Sequence, residues 1–296
     1  MINRRNFLQQ AGMLGLALAV KPGFACSKPA GHPVGLQLYT LREQIGKDPK
    51  QVIARIAEAG YQELEMFGFN PQRNSFFGIA PKAFKEILDS NQLTSPSGHY
   101  GLDLFLAPEG KEDDLKVNIE AGAALGHSYL TVPYLDDRFR RSADDYKRIA
   151  ERFNKAAELC KSSGLQFAYH NHAFEFEKMG TTTGYDILLK ETDPDLVKFE
   201  MDIYWVVRAG KDPVDMFRKH KGRFVMWHVK DMDRQKHELN TEVGSGSIDF
   251  RKIFQSAKLS GVKHILVEQE NFSMDPFASI SQSCRYIKEK LLPVMA

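Results

Sequence analysis

The sequence predicts an α/β protein folded as a closed (β/α)8 barrel. Three observations carry this prediction. From residue 34 onward, eight short runs of strand character alternate with longer helical stretches, the pattern of repeated β-crossover-β units and hence of a parallel sheet. No Pro/Gly-rich or low-complexity linker interrupts the series, so one domain is expected over 31–296. The chain of 296 residues also leaves room for a leader ahead of a barrel of roughly 250 residues.

The elements follow in order. VGLQLY (34–39) is the first strand, and the stretch DPKQVIARIAEAG after it opens on Asp-Pro and ends on Gly, the usual punctuation of helix ends. YQELEMF (61–67) precedes the helical PKAFKEILDS, and LTSPSGH (93–99) and SYLTVPY (128–134) are the third and fourth strands. A long helix over DDYKRIAERFNKAAELCKSSG leads into LQFAYHNH (165–172). VKFEMDIY (197–204), RFVMWHVKD (223–231) and KHILVEQE (263–270) complete the set, with DFRKIFQSAKLSG as the helix before the last.

Side chains alternate across a strand, so the residues facing the axis can be read off. Phe167 and Tyr169 face the helices, while Ala168, His170 and His172 face inward. Phe199 and Met201 face out, with Glu200 and Asp202 inward. Val225, Trp227 and Val229 face out, with His228 and Lys230 inward; Ile265 and Val267 face out, with Glu268 and Glu270 inward. Gln37, Tyr39, Glu63, Glu65, Ser97 and His99 share the inward parity on the first three strands. The polar positions gather at the strand C-termini, the rim where this fold carries its chemistry. Charges aimed at one axis are expensive to desolvate unless a cation or a substrate balances them. His170, Asp202, His228 and Glu268 are therefore the candidate ligands of one divalent ion per chain. Mixed imidazole and carboxylate donors suit Mn²⁺, Co²⁺, Zn²⁺ or Fe²⁺, with Mg²⁺ favoured by all-oxygen sets.

The motifs AYHNHAFEF, MDIYW, WHVKD, GSGSIDF and VEQE, in that order, resemble the sugar phosphate isomerase/epimerase group of xylose isomerase-like TIM barrels, over essentially all of 34–292. The resemblance implies an enzyme in which a metal on a carbonyl and its neighbouring hydroxyl stabilises the enediolate left when a base removes the α-proton. The group's ketose 3-epimerases hold Mn²⁺ or Co²⁺ with a Glu-Asp-His-Glu set. Asp202, His228 and Glu268 match three of those positions, and His170 stands where the first Glu would be. In those epimerases the first and last carboxylates also move protons, so Glu268 keeps a catalytic role in this reading. The His at 170 points away from a plain ketose 3-epimerase, which stays as the alternative.

Related 3-dehydroshikimate dehydratases carry a Glu-x-His pair on this strand. His170-x-His172 resembles it, which implies His172 as general base and Glu175 as a second base or alternative ligand. Lys230 is placed to bind a developing oxyanion or a substrate hydroxyl. Tyr39, Glu65 and His99 are expected to meet sugar hydroxyls, and Trp205 to stack on a sugar face; Trp227 reads as core. The Gly-Ser-Gly of VGSGSIDF could cradle a phosphate, but for an exported enzyme it is read as a loop closing over an unphosphorylated sugar. Exported members with a YHNH-type strand look similar to proteins acting on 3-keto-sugars and 3-keto-glycosides. A hydratase, lyase or isomerase of such sugars is therefore expected ahead of an epimerase, with a non-catalytic sugar-binding barrel as the rival from another class.

Residues 1–30 have a different character. NRRNFLQ, the apolar AGMLGLALAV and the small residues near Ala25 describe an export signal of twin-arginine type, too short to span a bilayer. Periplasmic placement is expected, with lipid anchoring at Cys26 an open alternative. Of 40 basic and 38 acidic residues, this segment holds four basic (Arg4, Arg5, Lys21, Lys28) and no acidic ones, leaving 36 against 38. The remainder has no basic field to attract nucleic acid, which argues against the endonuclease IV branch of the superfamily. Cys160 and Cys284 have no metal or disulfide spacing and read as buried apolar residues. The expected partner is a small sugar or keto-sugar; association into a homo-oligomer is left open.

Overall fold

In the computed structural model, which describes residues 32–295, eight parallel strands close into a barrel in sequence order. They are β1 (Val34–Gln37), β2 (Glu63–Met66), β3 (Thr94–His99), β4 (Tyr129–Val132), β5 (Gln166–His170), β6 (Val197–Asp202), β7 (Phe224–Val229) and β8 (His264–Val267). Each falls within the run expected for it. The export signal and Cys26 lie outside the described residues. No described helix is long and apolar enough to cross a membrane.

Helix punctuation works as the sequence implies. Asp48 caps Pro49–Glu58 by accepting the Gln51 N–H, and Ser142 caps Ala143–Ser162 through Asp145. The apolar faces of these helices pack on the outward strand residues. Phe167 and Tyr169 meet Phe153 of the long helix, and Trp227 stacks on Phe217 while its indole N–H donates to Ser260. Cys160 and Cys284 are buried in this layer.

The barrel axis is layered. At the strand N-termini, Glu63 accepts from His264 beside Tyr129. Above them Tyr129, Ala168, Val225 and Met226 form a small apolar plug. Val225 was expected to face outward. The β6–β7 register shifts between Phe199 and Glu200, so an extra residue enters β7 there and Val225 joins the axial cluster. Parity resumes beyond the shift, with Trp227 out and His228 in.

Several strands are shorter than the sequence runs. β1 ends at Gln37, whose side chain accepts the Tyr39 N–H to start the 3-10 turn Leu38–Leu41. β5 ends at His170, and β6 passes at Asp202 into the helix Ile203–Arg208. Tyr39, His172 and Glu268 therefore sit on the loops just past their strands, where a rigid sheet holds them but does not dictate their alternation.

Candidate functional site

The ends of β5 to β8 bring together His170, Asp202, His228 and Glu268, each offering one donor atom, all within 4.8 Å of one another and all buried. The local structure sets each donor. His170 Nδ1 lies 3.1 Å from the Pro133 carbonyl, which can only accept, so this nitrogen carries the proton and donates. Its Nε2 faces Asp202 Oδ2 at 3.5 Å. Asp202 uses Oδ1 to cap its own helix through the Trp205 N–H (3.0 Å), leaving Oδ2 free. Buried Asn171 accepts the Asp202 N–H and ties the two strand ends together. Among the described residues, His170 Nε2 and Asp202 Oδ2 are buried without a hydrogen-bond partner. Unpartnered buried lone pairs are costly. Their convergence with His228 and Glu268 fits a divalent cation with mixed nitrogen and oxygen donors.

Electrostatics favour charged forms here. Burial opposes charge on His228, but Glu200 and Glu268 outweigh it and hold the imidazole well above the usual histidine range. Burial likewise opposes the Glu268 carboxylate, yet Lys230 and then His228 hold it well below the usual range. Lys230 is fully buried, with Nζ 3.2 Å from Glu268 Oε2 and bonded to Glu270. It lies 5.4 Å from the centroids of Tyr204 and Trp205. Its ammonium is engaged by Glu268 and Glu270, whereas the expectation set it against a developing oxyanion or a substrate hydroxyl.

A cavity of about 390 Å³ opens above the group, walled by Tyr39, Phe69, His99, Tyr134, His172 and Glu270 among others, within the roughly 300–1,000 Å³ of small-molecule sites. His172 lies in an aromatic cage. Its ring stacks on Phe174 at 5.6 Å and 8°, with the Tyr134 ring edge-on at 5.4 Å and the Trp205 ring at 5.4 Å tilted by 40°. Burial first, then the neighbouring His170 and Lys230, hold its imidazole well below the usual range. It is therefore a neutral ring, and a weaker base than a free imidazole.

Other expected site residues take different places. Glu175 is not a cavity residue. It is fully buried, accepts the Tyr169 hydroxyl at 2.6 Å and the His172 backbone N–H at 3.0 and 2.9 Å, and so fixes the loop carrying His172. Burial pushes its carboxyl up to about 7 against those hydrogen bonds. Glu65 is sealed below the floor with no exposed surface, so it cannot meet a sugar hydroxyl directly. Tyr39 and His99 do line the cavity, whereas Trp205 stands behind His172. The glycine loop closes inward. Asp231 accepts the N–H groups of Gly244, Gly246, Ile248 and Met232, which fills the phosphate-type cradle with a carboxylate. A Cβ at Gly246 would lie 2.3 Å from that carboxylate. The loop thus wraps Asp231 and contributes no wall to the cavity.

Glu200 is the residue that sequence reasoning left without a role. It is fully buried, 2.8 Å from His99 Nε2 and 3.2 Å from His228 Nε2. Its signal was its inward parity in FEMD, two residues before Asp202.

A parallel eight-stranded barrel whose C-terminal mouth lies over a buried imidazole–carboxylate group defines a (β/α)8 protein with a candidate metal centre. A family model described as the xylose isomerase-like TIM barrel matches residues 53–290, and the chain belongs to that family. It is similar to the solved sugar phosphate isomerase/epimerase from Parabacteroides distasonis ATCC 8503, with 31% identity and a TM-score of 0.81 over 91% of this chain and 97% of that one. The inosose dehydratase of Lacticaseibacillus casei is 25% identical over 82% of this chain and 91% of its own length. The fold is shared with an E. coli 3-keto-D-glucoside 4-epimerase, at 15% identity and a TM-score of 0.69 over 87% of this chain and 99% of that one.

Proposed function

We propose that this protein is a divalent-metal-dependent lyase that removes the proton beside a ring ketone of a keto-sugar or inosose and expels the oxygen substituent one carbon further on. One observation carries this reading. His170 commits its Nδ1–H to Pro133 and leaves Nε2 bare beside Asp202, in one group with His228 and Glu268, under a cavity that His172 walls. The similarity to inosose dehydratases supports elimination from a polyhydroxylated ring ketone.

His170, Asp202, His228 and Glu268 would hold the cation, which supplies Lewis acidity to a carbonyl oxygen and so acidifies the adjacent C–H. His172 takes that proton. Its neutral ring, held in place by the Glu175 carboxylate on its backbone and by the stacked Phe174, is the base. The electron pair of the C–H bond becomes a carbon–carbon double bond as the β-carbon–oxygen bond breaks. The proton from His172 then goes to the departing oxygen, which leaves as water or as an alcohol. Tyr134, Phe174 and Trp205 around the ring keep bulk water from that proton.

An epimerase needs a second proton carrier on the opposite face of the sugar. Glu268 is held by Lys230 and His228, and by the resemblance His170 stands where those epimerases carry the other carboxylate. Elimination, needing one carrier, suits these residues better.

The test is incubation in D2O with an inosose and with a 3-keto-glucoside, following both deuterium at the α-carbon and enone absorbance. Exchange and enone that both require added metal and His172 support the reading. Exchange without enone would replace the lyase with an isomerase. Neither reaction with either substrate would remove the chemistry. The leader supports placement outside the cytoplasm, and fractionation of cells making the full chain tests it.

A further inference from the structure

A second group of four donors adjoins the first. Glu65, His99, Glu200 and His228 come from β2, β3, β6 and β7, and their donor atoms also lie within 4.8 Å of one another. It shares His228 with the upper group. Its edges alternate nitrogen and oxygen: His228 Nε2 is 2.6 Å from Glu65 Oε2 and 3.2 Å from Glu200 Oε2, and His99 Nε2 is 2.8 Å from Glu200 Oε2 and 3.3 Å from Glu65 Oε2.

Two arrangements fit four such donors, a second cation or a closed set of hydrogen bonds. The Glu65 oxygen decides between them. Oε2 already accepts from the Gln37 amide at 2.7 Å and from His228 at 2.6 Å, while the His99 Nε2–H goes to Glu200. Those two donors use both lone pairs of Oε2 and leave that oxygen none for a metal. We propose that Glu65, Glu200 and His99 are positioning residues that hold His228 as the Nε2–H tautomer, with its Nδ1 lone pair turned up toward the cation group. This rests on the metal-binding reading of the upper group.

The ring has little freedom to do otherwise. Two carboxylate oxygens face Nε2, whereas among the described residues Nδ1 meets Glu268 Oε2 alone, at 3.3 Å. When a cation takes Nδ1 and one ring proton leaves, the proton that stays is therefore better placed on Nε2. His99 stacks on the His228 ring at 5.3 Å and 24°, and His170 packs against it at 4.6 Å and 56°, which restrains its plane. A metal-binding histidine whose other N–H is held by a carboxylate has its tautomer and direction set in advance. Here two carboxylates do so, and neither has exposed surface through which water could substitute.

The experiment uses the full chain, stripped of metal by a chelator, with ¹⁵N-labelled histidine. The His228 signals are assigned by their loss in His228→Asn. At a pH above that at which its imidazolium gives up a proton, metal-free His228 in wild type should show the Nε2–H tautomer. Glu65→Gln and Glu200→Gln keep the side-chain shape, and circular dichroism should show an unchanged fold. Each should turn His228 into a tautomer mixture and weaken Mn²⁺ binding by about 10- to 100-fold. His228 in the Nδ1–H form in wild type would overturn the proposal, as would unchanged Mn²⁺ affinity in both variants. Two equivalents of Mn²⁺ in wild type, falling to one in Glu200→Gln, would replace it with a second metal site. If wild type binds no Mn²⁺, the upper-site reading fails, while the tautomer still judges the positioning role by itself.

Discussion

Strand β2 points Glu63 and Glu65 at the same axis, two residues apart, yet the two carboxylates live in different surroundings. Glu63, at the N-terminal end, meets His264 Nδ1 with both oxygens at 3.1 and 2.9 Å, a closed pair at the partly exposed foot of the barrel. Glu65, at the C-terminal end, is fully buried and its Oε1 has no partner among the described residues. Glu200 Oε1, His170 Nε2 and Asp202 Oδ2 near it are equally unpartnered. The residue types at the two ends are alike; what differs is the layer. The foot satisfies its polar groups internally, and the mouth leaves several unfinished below a cavity. The difference teaches that a charged residue on a barrel axis is informative only with its height along the strand.

The largest effect should come from removing an unfinished group. Asp202→Ala is expected to abolish stoichiometric metal binding and turnover together. Metal at about 100 times its Kd should raise wild-type stability by ~2.7 kcal/mol and leave the variant unmoved, which thermal melts with and without Mn²⁺ would show. A variant that kept its metal would end the distinction between mouth and foot. Next comes His172→Gln, for which turnover should drop by about 10²- to 10⁴-fold while metal stoichiometry stays at the wild-type value. Metal analysis beside steady-state rates separates the two roles. Loss of metal in this variant would move His172 into the ligand set.

A buried histidine outside both regions sharpens the comparison. His127 sits behind the sheet, with Nε2 2.9 Å from Ser95 Oγ and Nδ1 3.2 Å from the Tyr100 hydroxyl. Burial drives its pKa down to about 3. The unfolded chain takes up this proton near pH 6.5 and the folded chain does not, so this contribution to stability is complete above 6.5 and is lost as pH falls from 6.5 toward 3. Between pH 6.5 and 5 the loss is about 2 kcal/mol. Urea titrations at the two pH values should show a flatter dependence in His127→Gln, and an unchanged slope would assign acid sensitivity to the mouth.

Periodicity made most of the fold legible. Eight strands at their expected places, and the outward packing of Phe167, Tyr169 and Trp227, follow from alternation alone. The convergence of His170, Asp202 and His228 followed from the same parity, and Glu268 joins them from one residue past its strand. Parity failed where the backbone left it. Val225 turned inward at a register shift that no residue in RFVMWHV announces. Beyond the strand ends, side-chain direction depends on hydrogen bonds between distant residues. Glu175 turned to the His172 backbone, Lys230 to two carboxylates, and the glycine loop to Asp231. Glu65 and Glu200 were visible as inward residues, but their depth relative to the cavity depends on barrel stagger, which a single strand does not carry.

The smallest expected effect is at the foot. Glu63→Gln removes a charge from the His264 pair but keeps an oxygen to accept the Nδ1–H, so a charged hydrogen bond becomes a neutral one. The cost should be about 1 kcal/mol in urea unfolding. Mn²⁺ affinity should match wild type, because the apolar layer of Tyr129, Ala168, Val225 and Met226 separates this pair from the upper groups. Glu65→Gln, two residues along the same strand, is expected to do the reverse and weaken metal far more than it weakens the fold. If Glu63→Gln lowered Mn²⁺ affinity as much as Glu65→Gln, the plug would be transmitting the loss. Height along the strand would then no longer separate a structural carboxylate from one that serves the site.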